Sequence, residues 1–161
     1  MSILNSKDIL KLAASIGICL LAGVVGSIFT VSAIPSWYAT LAKPFFAPPN
    51  WVFAPVWTTL YVLMGISLFL VWRKGFSKKT KGAIGIFGIQ LALNVLWSLA
   101  FFGLKSPIAG LVVIVALWAA IAATIMKFMK ISRNADLLLI PYIVWVSIAA
   151  LLNFSIVLLN L

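Results

Sequence analysis

Five times along the chain, a stretch long enough to cross a bilayer passes with no acidic residue in its interior. These apolar runs lie at about 9–31, 51–72, 82–103, 107–129 and 136–158, each near the ~20 residues that a hydrocarbon core requires. Of the 161 residues, 65% are hydrophobic and 9% charged, against about 25% charged in an average soluble domain. A chain this small has no interior large enough to hide that much apolar surface from water. The fold class is therefore all-α integral membrane, a five-transmembrane-helix bundle, read as a single domain over 1–161 with a lid loop at 32–50.

The breaks between runs carry the charge. "WRKGFSKKTKG" (72–82), "LKSP" (104–107) and "KISRNAD" (130–136) separate the later spans. In the last break Asn134 reads as an N-cap, and Asp136 as a first-turn acid facing the positive end of the helix dipole. With five spans the N-terminus and the second and fourth breaks share one side, where ten basic residues fall; only Lys43 and Lys105 fall on the other. This asymmetry predicts a cytoplasmic N-terminus and cytoplasmic basic loops, with the C-terminus opposite. It also accounts for the net charge of +10 without nucleic acid as a partner. The first apolar run exceeds the 7–15 residues of a signal-peptide core and reads as a retained helix.

The inventory excludes most enzyme templates. There is no His, the only acids are Asp8 and Asp136, and Cys19 is the only cysteine. A Ser-His-Asp triad, a glycosidase carboxylate pair and an intramolecular disulfide all lack their parts. The glycines are scattered through spans, with no phosphate-cradling loop. Neither acid lies mid-span, which argues against proton-driven antiport. No metal site and no required cofactor are expected.

What the spans do contain is polar and aromatic residues at helical spacing. Gln90, Asn94, Trp97 and Phe101 share one face of the third span; Trp57, Tyr61 and Met64 share one of the second; Trp145, Ala149 and Asn153 follow Tyr142 in the fifth. An amide facing lipid would leave donors and acceptors unpaired, so Gln90 and Asn94 are expected to face inward. Trp72 and Trp118 read as interfacial belt residues. Trp57, Trp97 and Trp145 read as inner walls of a site for a flat, mostly apolar ligand. Small residues recur every four positions in the first span (Ser15, Cys19, Gly23, Ser27), and Gly85, Gly88 and Ala92 mark the third. Such faces let helices approach closely, within one chain or between two.

Five of the seven prolines and three of the seven tryptophans crowd into 35–57. The prolines are expected to stop the first helix and stiffen the crossing. Pro55 is placed in the opening turns of the second span, where a missing N–H matters little.

Three motifs, "WYATLAKPFFAPPNWVFAPVWTTLYVLMG" (37–65), "QLALNVLWSLAFFG" (90–103) and "LLLIPYIVWVSIAALLN" (137–153), fall in order over nearly the whole chain. Together they resemble the TspO/MBR family of bacterial tryptophan-rich sensory proteins and mitochondrial translocator proteins. The resemblance implies a five-helix bundle, often a homodimer, with a pocket near the loop between the first two helices. It also implies porphyrins such as protoporphyrin IX or haem as ligands. Carried over by motif, the ligand-binding residues are Tyr38, Lys43 and Pro44 of the loop segment, Trp57 and Tyr61, Asn94 and Trp97, and Trp145, Ala149 and Leu152. Asn94 and Tyr38 would orient polar groups, and Lys43 would pair with a propionate. A sensory, transport or scavenging role follows, with light-dependent porphyrin degradation, passive transport or a structural membrane partnership as alternatives. The chain departs from the family pattern at Phe46, where many relatives have Trp, and in "KSPIAGL" (105–111), which lacks an early Trp. No basic residue follows Tyr142, and neither Tyr38 nor Tyr61 completes the proposed sterol motif, which lowers the expectation of cholesterol as a ligand.

Overall fold

The computed structural model describes residues 4–161; residues 1–3, included above in the single domain, lie outside the described residues. Five membrane-length helical spans emerge: Ser6–Tyr38, Asn50–Trp72, Lys78–Gly103, Pro107–Met129 and Arg133–Leu159. Within them α1 is Ser6–Ala33, α2 Asn50–Trp72, α3 Lys78–Ser98, α4 Pro107–Met129, α5 Arg133–Leu138 and α6 Ile140–Leu159. Wider π turns extend two of them, Ile34–Tyr38 after α1 and Leu99–Gly103 after α3. No strand occurs among the described residues.

Helices begin where side chains can take the orphan N–H groups of a first turn. The side chains of Asn5, Ser77 and Ser106 accept the backbone N–H of Asp8, Thr80 and Ala109 at 2.9, 3.1 and 3.2 Å. The reading of Asn134 as a cap does not hold: it lies inside α5, and Ser132 holds the cap position without a side-chain bond. Asp136 does sit in that first turn, with Arg133 bonded to it at 2.6 Å.

Proline does less to stop helices here than expected. The first helix runs on to Tyr38, so the irregular connection covers 41–49 rather than 32–50. Pro35 is absorbed at the start of the π turn, whose wider backbone relieves the clash of its ring with the preceding turn. Pro55 lies inside α2, beyond its first turn, and so removes one helical hydrogen bond. The hydroxyls of Thr58 and Thr59 each donate back to the carbonyl four residues earlier, of Ala54 and Pro55, at 2.8 Å. The fifth span, expected to be continuous over 136–158, breaks at Leu139, just before Pro141.

α1 lies along α2 and reaches α3; α3 packs on α4, α4 on α6, and α2 on α5. Between them Met64, Phe87, Leu117, Ile121, Val146 and Ile156 are sealed off. The outward faces are just as apolar, with Leu21, Ile28, Val31, Val112 and Leu151 exposed. That is the pattern of a bundle whose solvent is lipid. The small residues of α1 serve contacts within the chain. A Cβ on Gly65 of α2 would stand 2.5 Å from the Cα of Ile16, and one on Gly23 would stand 2.6 Å from the Tyr61 ring. Trp118 is not an interfacial anchor: mid-way along α4, its indole N–H donates to Ser147 of α6 at 2.9 Å.

The two ends of the bundle are closed differently. At the basic end Asp8 meets Arg73 at 3.7 Å, the Lys79 ammonium donates to the Lys130 carbonyl, and Lys11 sits 5.9 Å from the Trp72 ring. At the loop end the Ala42 N–H donates to the Asn160 side-chain oxygen at 3.0 Å, and the Asn160 amide returns a bond to the Ala42 carbonyl at 2.9 Å.

The contact at Gly65 yields a test. Gly65→Ala forces α1 from α2 and lowers stability by about 1–3 kcal/mol. Gly17→Ala, with nothing within 4 Å of the added carbon, leaves stability unchanged or raises it by up to ~1 kcal/mol. Denaturation of both variants in detergent micelles checks the difference.

Candidate ligand-binding site

The stripe on α2 packs as its spacing predicts. Trp57 stacks on Tyr61 with centroids 5.7 Å apart, and lies 6.2 Å from Trp97 and 6.3 Å from Tyr142. α3 brings Trp97 against Phe101 at 5.8 Å. The π turn then does what an α-helix does not: it turns the consecutive Phe101 and Phe102 both inward, with rings 4.8 Å apart. The extra residue in the turn shifts the face presented to the core. Tyr38, at the end of the first span, packs among these rings and Phe53 and is only 2% exposed.

Beneath the rings runs a buried polar chain. The Tyr61 hydroxyl donates to the Asn94 side-chain oxygen at 2.6 Å, and the Asn94 amide donates to the Tyr142 hydroxyl at 2.8 Å. Tyr142 in turn donates to the Gln90 oxygen at 2.8 Å. The Trp97 indole donates to Asn153 at 3.2 Å, and the Asn153 amide to the Pro107 carbonyl at 2.8 Å. Asn94 is 1% exposed and both ends of its amide are engaged. It ties α2, α3 and α6 together.

A cavity of about 510 Å³ lies between α1, α2 and the end of α3. Trp57, Tyr61 and Trp97 form one wall, with Phe53 and Phe102. Gly23, Gly26, Ser27 and Thr30 of α1 form the other. Val24, Val31 and Thr58 line it while remaining exposed on the outside of the bundle, so the cavity opens sideways, toward lipid.

The ten nominated residues thus separate. Trp57, Tyr61 and Trp97 line the cavity. Asn94 and Tyr38 stand behind it in the core. Trp145 meets Phe53 at 6.1 Å on one side and, on the other, borders a separate groove of about 440 Å³ between α2 and α6. Ala149 and Leu152 are buried on α6 and line neither space. The Lys43 ammonium donates to the carbonyls of Tyr38 and Leu41 at 2.7 and 2.9 Å, closing the end of the first span. Pro44 shapes the loop, its carbonyl accepting the Ala47 N–H at 3.1 Å. Phe46 packs on Phe45 at the exposed edge of that loop, away from the cavity.

Most of the cavity lining was not among the nominated residues, and two of its members, Phe53 and Gly23, carry a signal in the sequence. Phe53 lies four residues before Trp57, so the stripe read back by one turn contains it. Gly23 belongs to the small-residue face of α1, where the missing side chain makes room for the Tyr61 ring. No three His, Cys, Asp or Glu side chains come together among the described residues.

The TspO/MBR family model matches residues 15–159. The chain belongs to the TspO/MBR family. Tryptophan-rich protein TspO of Chlorobaculum tepidum is 49% identical over 157 residues, 96% of this chain and 99% of that one. Its namesake in Archaeoglobus fulgidus is 50% identical over 153 residues, 95% and 99% of the two chains. The Translocator protein of Bos taurus is 38% identical over 136 residues, 83% of this chain and 80% of its own. With five apolar helices of spanning length, this TspO/MBR protein is an integral, multi-pass membrane protein.

Asn94→Leu strands the Tyr61 hydroxyl, leaves Tyr142 bonded only to Gln90, and destabilises the bundle by about 1–2 kcal/mol. Adding Tyr61→Phe to it costs less than in the wild-type background, and a double-mutant cycle of unfolding in mixed micelles reads that coupling.

Proposed function

We propose that this TspO/MBR protein binds a flat, largely apolar tetrapyrrole, protoporphyrin IX foremost, in the cavity between α1, α2 and α3. The observation that carries the proposal is the 510 Å³ cavity with Trp57, Tyr61 and Trp97 as one wall and an opening toward lipid. Its size falls within the ~300–1,000 Å³ of small-molecule sites. Aromatic faces add about 0.5–1.5 kcal/mol per ring contact beyond the area they bury. A ligand that dissolves in the bilayer reaches such a site without crossing water.

Haem fits by shape and not by ligation, because the cavity walls carry no His, Cys or Met, and the hydroxyl of their one tyrosine, Tyr61, is committed to Asn94. It is proposed as a stacked plate held like the free macrocycle, with no axial bond from these walls. Lys43 stands at the loop end with two of its donors committed. An ammonium has three, and the third serves a ligand carboxylate. The names of relatives, a Tryptophan-rich sensory protein in Cereibacter sphaeroides and Translocator proteins in mammals, support a role in sensing or carrying the bound molecule. The homodimer and the cytoplasmic placement of the N-terminus belong to the same proposal. The first rests on the resemblance, and the second on the ten basic residues gathered at one end.

Titration with protoporphyrin IX should quench tryptophan fluorescence saturably. Trp57→Phe and Trp97→Phe should each weaken binding about fivefold, the equivalent of ~1 kcal/mol. Quenching with unchanged affinity in both variants places the ligand elsewhere.

A further inference from the structure

Five of the residues that line the 510 Å³ cavity carry a hydroxyl: Ser27, Thr30, Thr58, Tyr61 and Ser98. Four of these hydroxyls are engaged inside the chain. Ser27 donates to the Val24 carbonyl at 2.7 Å, Thr30 to that of Ser27 at 3.3 Å and Thr58 to that of Ala54 at 2.8 Å. Tyr61 donates to the Asn94 side chain at 2.6 Å. The fifth, on Ser98, has no hydrogen-bond partner among the described residues.

A helical serine or threonine has a ready partner in the carbonyl one turn back. Thr124 of α4 and Ser147 of α6 use it, at 2.8 and 2.7 Å. Ser98, the last residue of α3, makes no such bond to Asn94. Its oxygen is turned toward α1, where a Cβ built on Gly26 would stand 3.2 Å away. The bare Cα of Gly26 leaves that approach open, and Gly26 lines the same cavity. Ser98 is only 7% exposed. Buried hydroxyls are almost always bonded, because an unbonded one gives up what water supplied in the unfolded chain. The exception stands in the wall of the cavity, directly after Trp97.

We propose that Ser98 is a specificity-determining residue of this cavity, its hydroxyl donating to a neutral acceptor on a flat apolar ligand. A ketone, an imine or a ring nitrogen qualifies. A charged acceptor does not, because no Lys, Arg, Asp or Glu lines the cavity, and an ion buried without a counter-charge is strongly disfavoured. Charged groups of a ligand therefore have to remain outside these walls. The inference rests on the reading of the cavity as a ligand site, and adds what that site recognises besides flatness.

Fluorenone and fluorene are the probes. Both are flat, neutral tricycles, and they differ at one position, a carbonyl in place of a methylene. Each is used to displace protoporphyrin IX from the purified protein in micelles of one detergent, followed by the Soret band of the bound porphyrin. The ratio of the two affinities in wild type, divided by that in Ser98→Ala, cancels their different solubility in the micelle. This quotient should be about fivefold in favour of fluorenone, the equivalent of one hydrogen bond. Ser98→Cys, with a similar shape and a weaker donor, should fall between. Gly26→Ala, whose methyl group presses on the Ser98 oxygen from another helix, should lower the fluorenone preference as well. Without ligand, Ser98→Ala should melt no lower than wild type, because the hydroxyl has no partner to lose and alanine favours a helix.

The same fluorenone preference in wild type and Ser98→Ala overturns the role of Ser98 and leaves the cavity reading in place. A preference untouched by Gly26→Ala overturns the placement of the donor against α1. An unliganded Ser98→Ala that melts more than about 5 °C lower reveals an internal bond and overturns the assignment of a free hydroxyl. Failure of both tricycles to displace the porphyrin overturns the selection of a neutral acceptor. Porphyrin binding indifferent to Trp57→Phe and Trp97→Phe overturns the cavity reading, and this inference with it.

Discussion

The bundle depends on one carboxamide. In lipid no hydrophobic effect draws helices together, so close packing and the pairing of polar side chains must do it. Asn94 accepts from Tyr61 on α2 and donates to Tyr142 on α6, and Tyr142 passes the chain back to Gln90 on α3. Three helices are thereby fixed in rotation as well as in distance. The aromatic wall follows from that registration. Trp57 and Trp97 face each other because Tyr61 and Asn94, one turn away on the same helices, are bonded.

Close approach is the second constraint. Gly65 against the backbone of Ile16, and Gly23 against the Tyr61 ring, bring α1 to α2 over part of their length. Toward the loop, α1 and α2 are separated by the cavity instead. One helix pair is thus tight at mid-bundle and parted near the loop, and the parting leaves an opening that faces lipid rather than water.

Much of this was legible in the sequence, and the rest was hidden for physical reasons. Span number and the inward faces of Gln90, Asn94 and Trp97 follow from length and from the penalty on unpaired amides, and both appear in the structure. What individual polar groups do was harder to read. Periodicity gives the direction of Asn94 but not that Tyr61 and Tyr142 already occupy it. Lys43 in a loop gives no sign that its ammonium caps the carbonyls of Tyr38 and Leu41. The π turns at Ile34–Tyr38 and Leu99–Gly103 carry no reliable local signal, since Pro35 is as compatible with the end of a helix as with a widened turn. Without that signal the first span reads as ending early, and periodicity turns only Phe101, not Phe102, inward. The break at Leu139 shows the opposite case: Pro141 was visible, but an apolar run gives no reason to divide a span.

The paired bonds between Ala42 and Asn160 join residues 118 positions apart. The loop between α1 and α2 is therefore latched by α6, a helix made well after the two that the loop connects. Until that helix is inserted, α1 and α2 can pack through Gly65 while the loop between them stays unfastened. Arrival of α6, rather than formation of the first hairpin, is the event that fastens it.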